Sequence, residues 1–183
     1  MPLASSGNYG PDDIVGNAAL AKIGTDGKVC IYSLAATDIV VDVTGYIPAG
    51  SLFSTVVPGR LLDTRSGPND LTIDGLFQGN GRRDAGTTLE LTVTGRGDVP
   101  NNAGAVVLNV TAVSPSAPGH LTVFPCGTDV PLTSTLNYGP GEVVANAAVT
   151  KIGTDGKVCI NTHAASDIVV DVTGYIPAGS LFS

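Results

Sequence analysis

Tryptophan is absent from this 183-residue chain, methionine occurs once and histidine twice. Aromatic residues make up only 5%, so whatever core forms is aliphatic. Basic residues are scarce as well: nine Lys and Arg stand against sixteen Asp and Glu, a net charge of −7. Without clustered basic charge the chain lacks the electrostatic footprint that nucleic acid or an acidic bilayer requires, so neither nucleic acid nor membrane is expected as a partner. No run of eighteen apolar residues exists to span a bilayer. No signal peptide is visible, and Met1-Pro2 followed by mid-repeat sequence reads as a cut or engineered start. Helical periodicity of useful length is missing.

Catalytic signatures are missing too. There is no G-x-S-x-G elbow, H-E-x-x-H pair or phosphate-binding loop. No C-x-x-C pair suggests zinc, and no D-x-D-x-D-G run suggests an EF-hand. His120 begins a strand beside a Pro-Gly turn and reads as a surface residue, and His163 is replaced by Leu34 in a second copy of the same segment. Asp63, Asp84, Asp98 and Asp171 have no spacing that argues for a glycosidase acid pair. Cys126 or Cys159 as a nucleophile lacks a credible base. The expectation is therefore no catalytic residue, no cofactor and no metal. Loop oxygens at Asp12, Asp13, Asp26, Asn69, Asp70 and Asp155 leave calcium open, although turn chemistry explains the Asp-Gly pairs better. The tripeptide Arg96-Gly97-Asp98 is by itself very weak evidence for receptor binding.

What is present points one way. Twenty-four Gly and twelve Pro divide segments rich in Val, Ile and Thr, and hydrophobic residues reach 43%. That is an all-β composition with enough apolar material for a core. The segment Leu3 to Ser54 returns as Leu132 to Ser183 at a constant offset of 129 residues, with 13 differences in 52 positions. Residues 1–54 read as a partial copy, the C-terminal part of a preceding unit, and residues 55–183 as one complete unit of a tandem array.

Strands are expected at Thr55–Pro58, Arg60–Arg65, Thr87–Thr94, Ala105–Val113, His120–Cys126, Thr133–Tyr138, Val143–Ile152, Lys157–Asn161 and Asp167–Ile176, with counterparts in the first copy. Gly153-Thr-Asp-Gly156 reads as a hairpin connection, and Ser114–Gly119 as a longer one. The predicted fold is an antiparallel β-sandwich built from the 129-residue repeat, with a prism or a trefoil-like barrel as alternatives.

A full period carries two cysteines, because Cys30 and Cys159 are equivalents and the counterpart of Cys126 falls before Met1. That number suggests one disulfide and an oxidising compartment, with buried free thiols as the alternative. The shorter loop favours Cys126–Cys159, with Cys30–Cys126 as the alternative. Asn109, Asn146 and Asp171 each interrupt an apolar strand. If their face is solvent, this is ordinary patterning. If it is buried, Arg60 and Arg65, with Asp63, are the partners of a structural polar network. Segment Ser66–Gly86 is the longest irregular stretch and the best candidate ligand loop, with Asn69, Asp70, Asp74, Phe77, Arg82 and Arg83. Tyr138 could join them as a sugar platform, or it could close the edge of the core.

The motifs Pro58-Gly-Arg-Leu-Leu-Asp-Thr-Arg65, Gly119-His-Leu-Thr-Val-Phe-Pro-Cys126 and Asp167-Ile-Val-Val-Asp-Val-Thr-Gly-Tyr175 resemble β-rich repeat modules of large secreted and cell-surface bacterial proteins, notably of actinobacteria. Such modules stand in tandem or beside cell-wall hydrolase and peptidase domains. The resemblance implies an extracellular accessory or surface module and carries over no catalytic residue. The leading expectation is a non-enzymatic structural, fibre-forming or spacer repeat. Its surplus copy would pair head to tail with other copies or neighbouring repeats. The alternative is a carbohydrate- or cell-wall-binding module that targets a linked enzyme.

Overall fold

A computed structural model describes residues 6–13, 15–43, 45–48 and 53–179. Its strands are β1 (Ser54–Asp63), β2 (Thr88–Thr92), β3 (Ala103–Val113), β4 (Gly119–Pro125), β5 (Leu136–Tyr138), β6 (Val143–Lys151), β7 (Lys157–Thr162) and β8 (Asp167–Pro177). They form two four-stranded antiparallel sheets, ordered β1-β8-β3-β6 and β2-β7-β4-β5. The sandwich reading therefore holds over the prism and barrel.

The period-2 pattern decides which face each strand buries. On β3, Val106, Leu108, Val110 and Ala112 enter the core between the sheets, and on β8 Ile168, Val170 and Val172 meet them. The opposite sheet contributes Leu89 and Leu91 from β2, Val158 and Ile160 from β7, and Leu121 from β4. Cys126 and Cys159 lie outside this core, with Phe124, and are joined by a disulfide. Their strands are neighbours, since Phe124 on β4 is opposite Cys159 on β7.

Three expectations change. Gly153-Thr-Asp-Gly156 is no hairpin: β6 and β7 belong to different sheets, so the turn carries the chain around the corner of the sandwich. Ser114–Gly119 likewise crosses from β3 in one sheet to β4 in the other. An Asp-Gly signal fixes the local reversal through positive φ at Asp155 and Gly156, but not the partner of the strand that leaves it. The third change concerns the first copy: none of its described residues from 6 to 48 belongs to a strand.

The strand order explains that absence. Call β1–β4 the front half and β5–β8 the rear half. Every ladder (β1 with β8, β8 with β3, β3 with β6, β2 with β7, β7 with β4, β4 with β5) joins a front strand to a rear strand. A rear half alone has no partner within itself for a ladder, and the first copy is a rear half.

Candidate functional site

The polar side chains singled out by sequence gather on the outer face of the β1-β8-β3-β6 sheet. Asp63, at the end of β1, is fully buried. It accepts a bond from Arg60 Nη1 at 3.0 Å and a two-pronged pair from Arg65, Nε at 2.9 Å and Nη2 at 2.7 Å. Arg60 Nε donates to Asp171 Oδ1 at 3.0 Å, and Arg65 Nη2 lies 3.0 Å from Asp70 Oδ1. The hydrogen bond to Asp63 pushes the Arg65 guanidinium above its ordinary value. Two cations and three carboxylates thus pair at the sheet surface, with Arg60, Asp63 and Asp171 buried and Arg65 and Asp70 partly exposed, which is mainly the buried alternative of the sequence reading.

Asn109 is opposite Asp171 in register and shares that face. Asn146 does not. It is opposite Val110, whose side chain enters the core, so it points to the other face of the sheet. There its amide donates to Thr135 O at 2.7 Å and ties the edge strand β6 to the entry of β5. Strand parity separates Asn109 from Asn146, although both look alike in sequence.

The Ser66–Gly86 segment is held by its own side chains. Asp70 accepts the Gly67 amide at 2.8 Å and pairs with Arg65. Arg82 donates to Ala165 O at 2.8 Å and to Ser114 O, and reaches Asp167 at 3.4 Å. The Arg83 amide and carbonyl bond reciprocally to Ser166. Asn69 is exposed at the tip. Tyr138 is 5% exposed on β5, and its hydroxyl donates to His120 O at 3.1 Å and lies 3.1 Å from Thr162 Oγ1. It closes the core edge and offers no ring face to a sugar.

Sequence reasoning missed the best-connected arginine. Arg96 is 7% exposed. It grips Asp74 with Nε at 2.6 Å and Nη2 at 2.9 Å, and donates to the carbonyls of Thr92 and Leu61 at 2.8 Å each. Its guanidinium carbon stands 4.9 Å from the Phe77 ring centre. The Arg96 bond holds the Asp74 carboxyl below its ordinary range. Gly97 follows with φ +54°, where an added Cβ would meet Val172 Cγ1 at 2.6 Å. The triplet's Arg96 is thus engaged inside the fold, while Gly97 is half-buried and Asp98 exposed, so the three are not displayed together. Nothing local signals this, because Asp74 and Arg96 meet only after the loop folds back.

A cleft of about 170 Å³ lies over the network, lined by Arg60, Arg65, Thr111, Val113, Val143 and Val169, with Asn8 of the first copy at its wall. Ligand pockets usually begin near 300 Å³, so it suits no drug-sized or oligosaccharide ligand. Elsewhere the rings of His120 and His163 stack at 5.0 Å. Among the described residues no group of three or more His, Cys, Asp or Glu is placed to hold a metal ion. Among them, too, no helix is long and apolar enough to cross a membrane. Cys30 is a free, exposed thiol. The chain matches no protein-family model and no curated protein sequence.

Proposed function

We propose that this chain is a non-enzymatic structural repeat module of an extracellular or cell-surface protein, and that it associates head to tail through its incomplete first copy. The observation that carries the reading is the interleaving of the two halves. Every rear strand pairs only with front strands, and the described residues of the first copy, a rear-half sequence, form no strand. Segments of strand-forming sequence left without ladder partners are available to pair with another chain. The disulfide favours an oxidising compartment. Arg60, Arg65, Arg96 and their aspartates, which could have formed a ligand site, instead satisfy one another or the backbone, whereas the buried Arg83 Nε has no hydrogen-bond partner among the described residues. The resemblance to secreted bacterial repeat modules points the same way.

Light scattering over a concentration series, combined with limited trypsin digestion, tests the association. Larger species are expected as concentration rises, with protection of Lys22 and Lys28 in the first copy. A monodisperse monomer whose first copy is cleaved equally at every concentration would remove self-association from the proposal. A sedimentation assay against insoluble peptidoglycan, chitin and cellulose tests the module's role. No retention is expected. Retention that soluble glycan competes away would make the chain a carbohydrate-targeting module instead.

A further inference from the structure

Residues 1–183 hold two rear-half sequences and a single front half, β1–β4. The structure closes β1–β4 with the second copy, but the first copy has the same credentials. Its positions Val29, Ile31, Ile39, Val41 and Val43 are equivalent to Val158, Ile160, Ile168, Val170 and Val172, which are all fully buried. Asp42 is equivalent to Asp171, the partner of Arg60. The first copy also holds rear-half geometry without any ladder. Tyr9 Oη lies 2.6 Å from Ser33 Oγ, as Tyr138 Oη lies 3.1 Å from Thr162 Oγ1. The Gly24 amide donates to Lys28 O at 2.8 Å, as Gly153 does to Lys157 O. Asp26 and Asp155 share φ 57° and ψ 28°.

Chain connectivity allows the exchange. Ser54 at the start of β1 is opposite Tyr175 near the end of β8. The equivalent of Tyr175 is Tyr46, so only residues 47–53 separate such a first-copy segment from β1 in sequence. A link this short gives the chain's own first copy a high effective concentration at its front half.

We infer that residues 6–48 are an alternative rear half that can replace β5–β8 on the chain's own β1–β4, giving a circularly permuted sandwich locked by Cys30–Cys126. The inference rests on the structural-repeat reading above, but its test measures cysteine pairing in the isolated chain and is indifferent to compartment or glycan binding. The second copy holds the advantage because Leu136, 4% exposed in the core, is Gly7 in the first copy.

The test uses two full-length variants refolded from the reduced state with oxidised glutathione, which accepts two electrons and two protons as two thiols join. In Cys159→Ser, peptide mapping should find Cys30–Cys126 as the main disulfide, within a monomer by size exclusion. Trypsin should then spare Lys22 and Lys28 and cut at Lys151 and Lys157. In Leu136→Gly, with all cysteines present, Cys30–Cys126 should rise at least tenfold over wild type, toward parity with Cys126–Cys159. This second variant reads the competition even if Cys159→Ser fails to fold. The inference is overturned if Leu136→Gly keeps Cys126–Cys159 alone. It is equally overturned if Cys30–Cys126 joins only separate chains, or forms while Lys22 and Lys28 are cut as in wild type.

Discussion

Asp63 is the residue on which the outer-face network turns. Its carboxylate is fully buried and satisfies two guanidinium groups and the Arg65 amide. Removing it leaves Arg60 and Arg65 partly buried without their shared counter-ion, a change that costs about 3–5 kcal/mol when one member of a buried pair is deleted. Asp63→Ala is expected to lower the urea midpoint accordingly, and a loss below about 1 kcal/mol would mean that water relieves the arginines. Asp74 titrates instead of merely packing. Its folded value is depressed chiefly by the hydrogen bond from Arg96, so its stabilisation is present above the ordinary aspartate value of 3.8 and lost as pH falls through the depressed value. Unfolding followed by urea at pH 7 and at pH 2.5 should show a drop in stability that is smaller in Asp74→Asn. Equal drops in both chains would assign the acid sensitivity to other carboxylates.

At the scale of elements, identical sequence in two environments is the informative comparison. Val172 on β8 is 0% exposed and its equivalent Val43 is 87% exposed, and Val158 and Val29 stand at 0% and 52%. Val172→Ala removes two buried methyl groups and should cost about 2 kcal/mol. Val43→Ala, at the matching position, should fall within about 0.5 kcal/mol of wild type. Equal costs would mean that the first copy is also docked. The same comparison shows what the sequence made legible. Alternating Val and Ile marked β3 and β8 to within two residues, and the loop-length argument chose Cys126–Cys159. The asparagines were harder, because Asn109 and Asn146 look alike until the register of β3 and β6 assigns them opposite faces. The Asp-Gly turn misled for a related reason: a two-residue reversal looks the same whether the next strand pairs back or crosses to the facing sheet. Arg96 and Asp74 were invisible because their contact spans 22 residues and depends on where the intervening strand lands.

At the scale of the molecule, interleaving makes the repeat unit indivisible while leaving the chain divisible. Among the described residues no ladder lies inside one half, and the disulfide joins Cys126, just after β4 of the front half, to Cys159 on β7 of the rear half. Front and rear must therefore form together, with long sequence separations that slow folding relative to a meander. The unit's two ends meet, because Ser54 is opposite Tyr175 in the β1–β8 pair. Successive units joined at such ends gain little length per repeat, so an array would concentrate copies more than it would extend reach. The described residues of the first copy contribute no ladder to the closed unit. A chain of residues 53–183 should thus retain the wild-type urea midpoint and, since m follows the surface exposed on unfolding, nearly the wild-type m value. A clear fall in m would show that residues 1–52 bury surface on the folded sandwich. A rise in midpoint with m unchanged would show instead that the first copy competes with the second for β1–β4 in the native chain, and that deleting it removes the competitor.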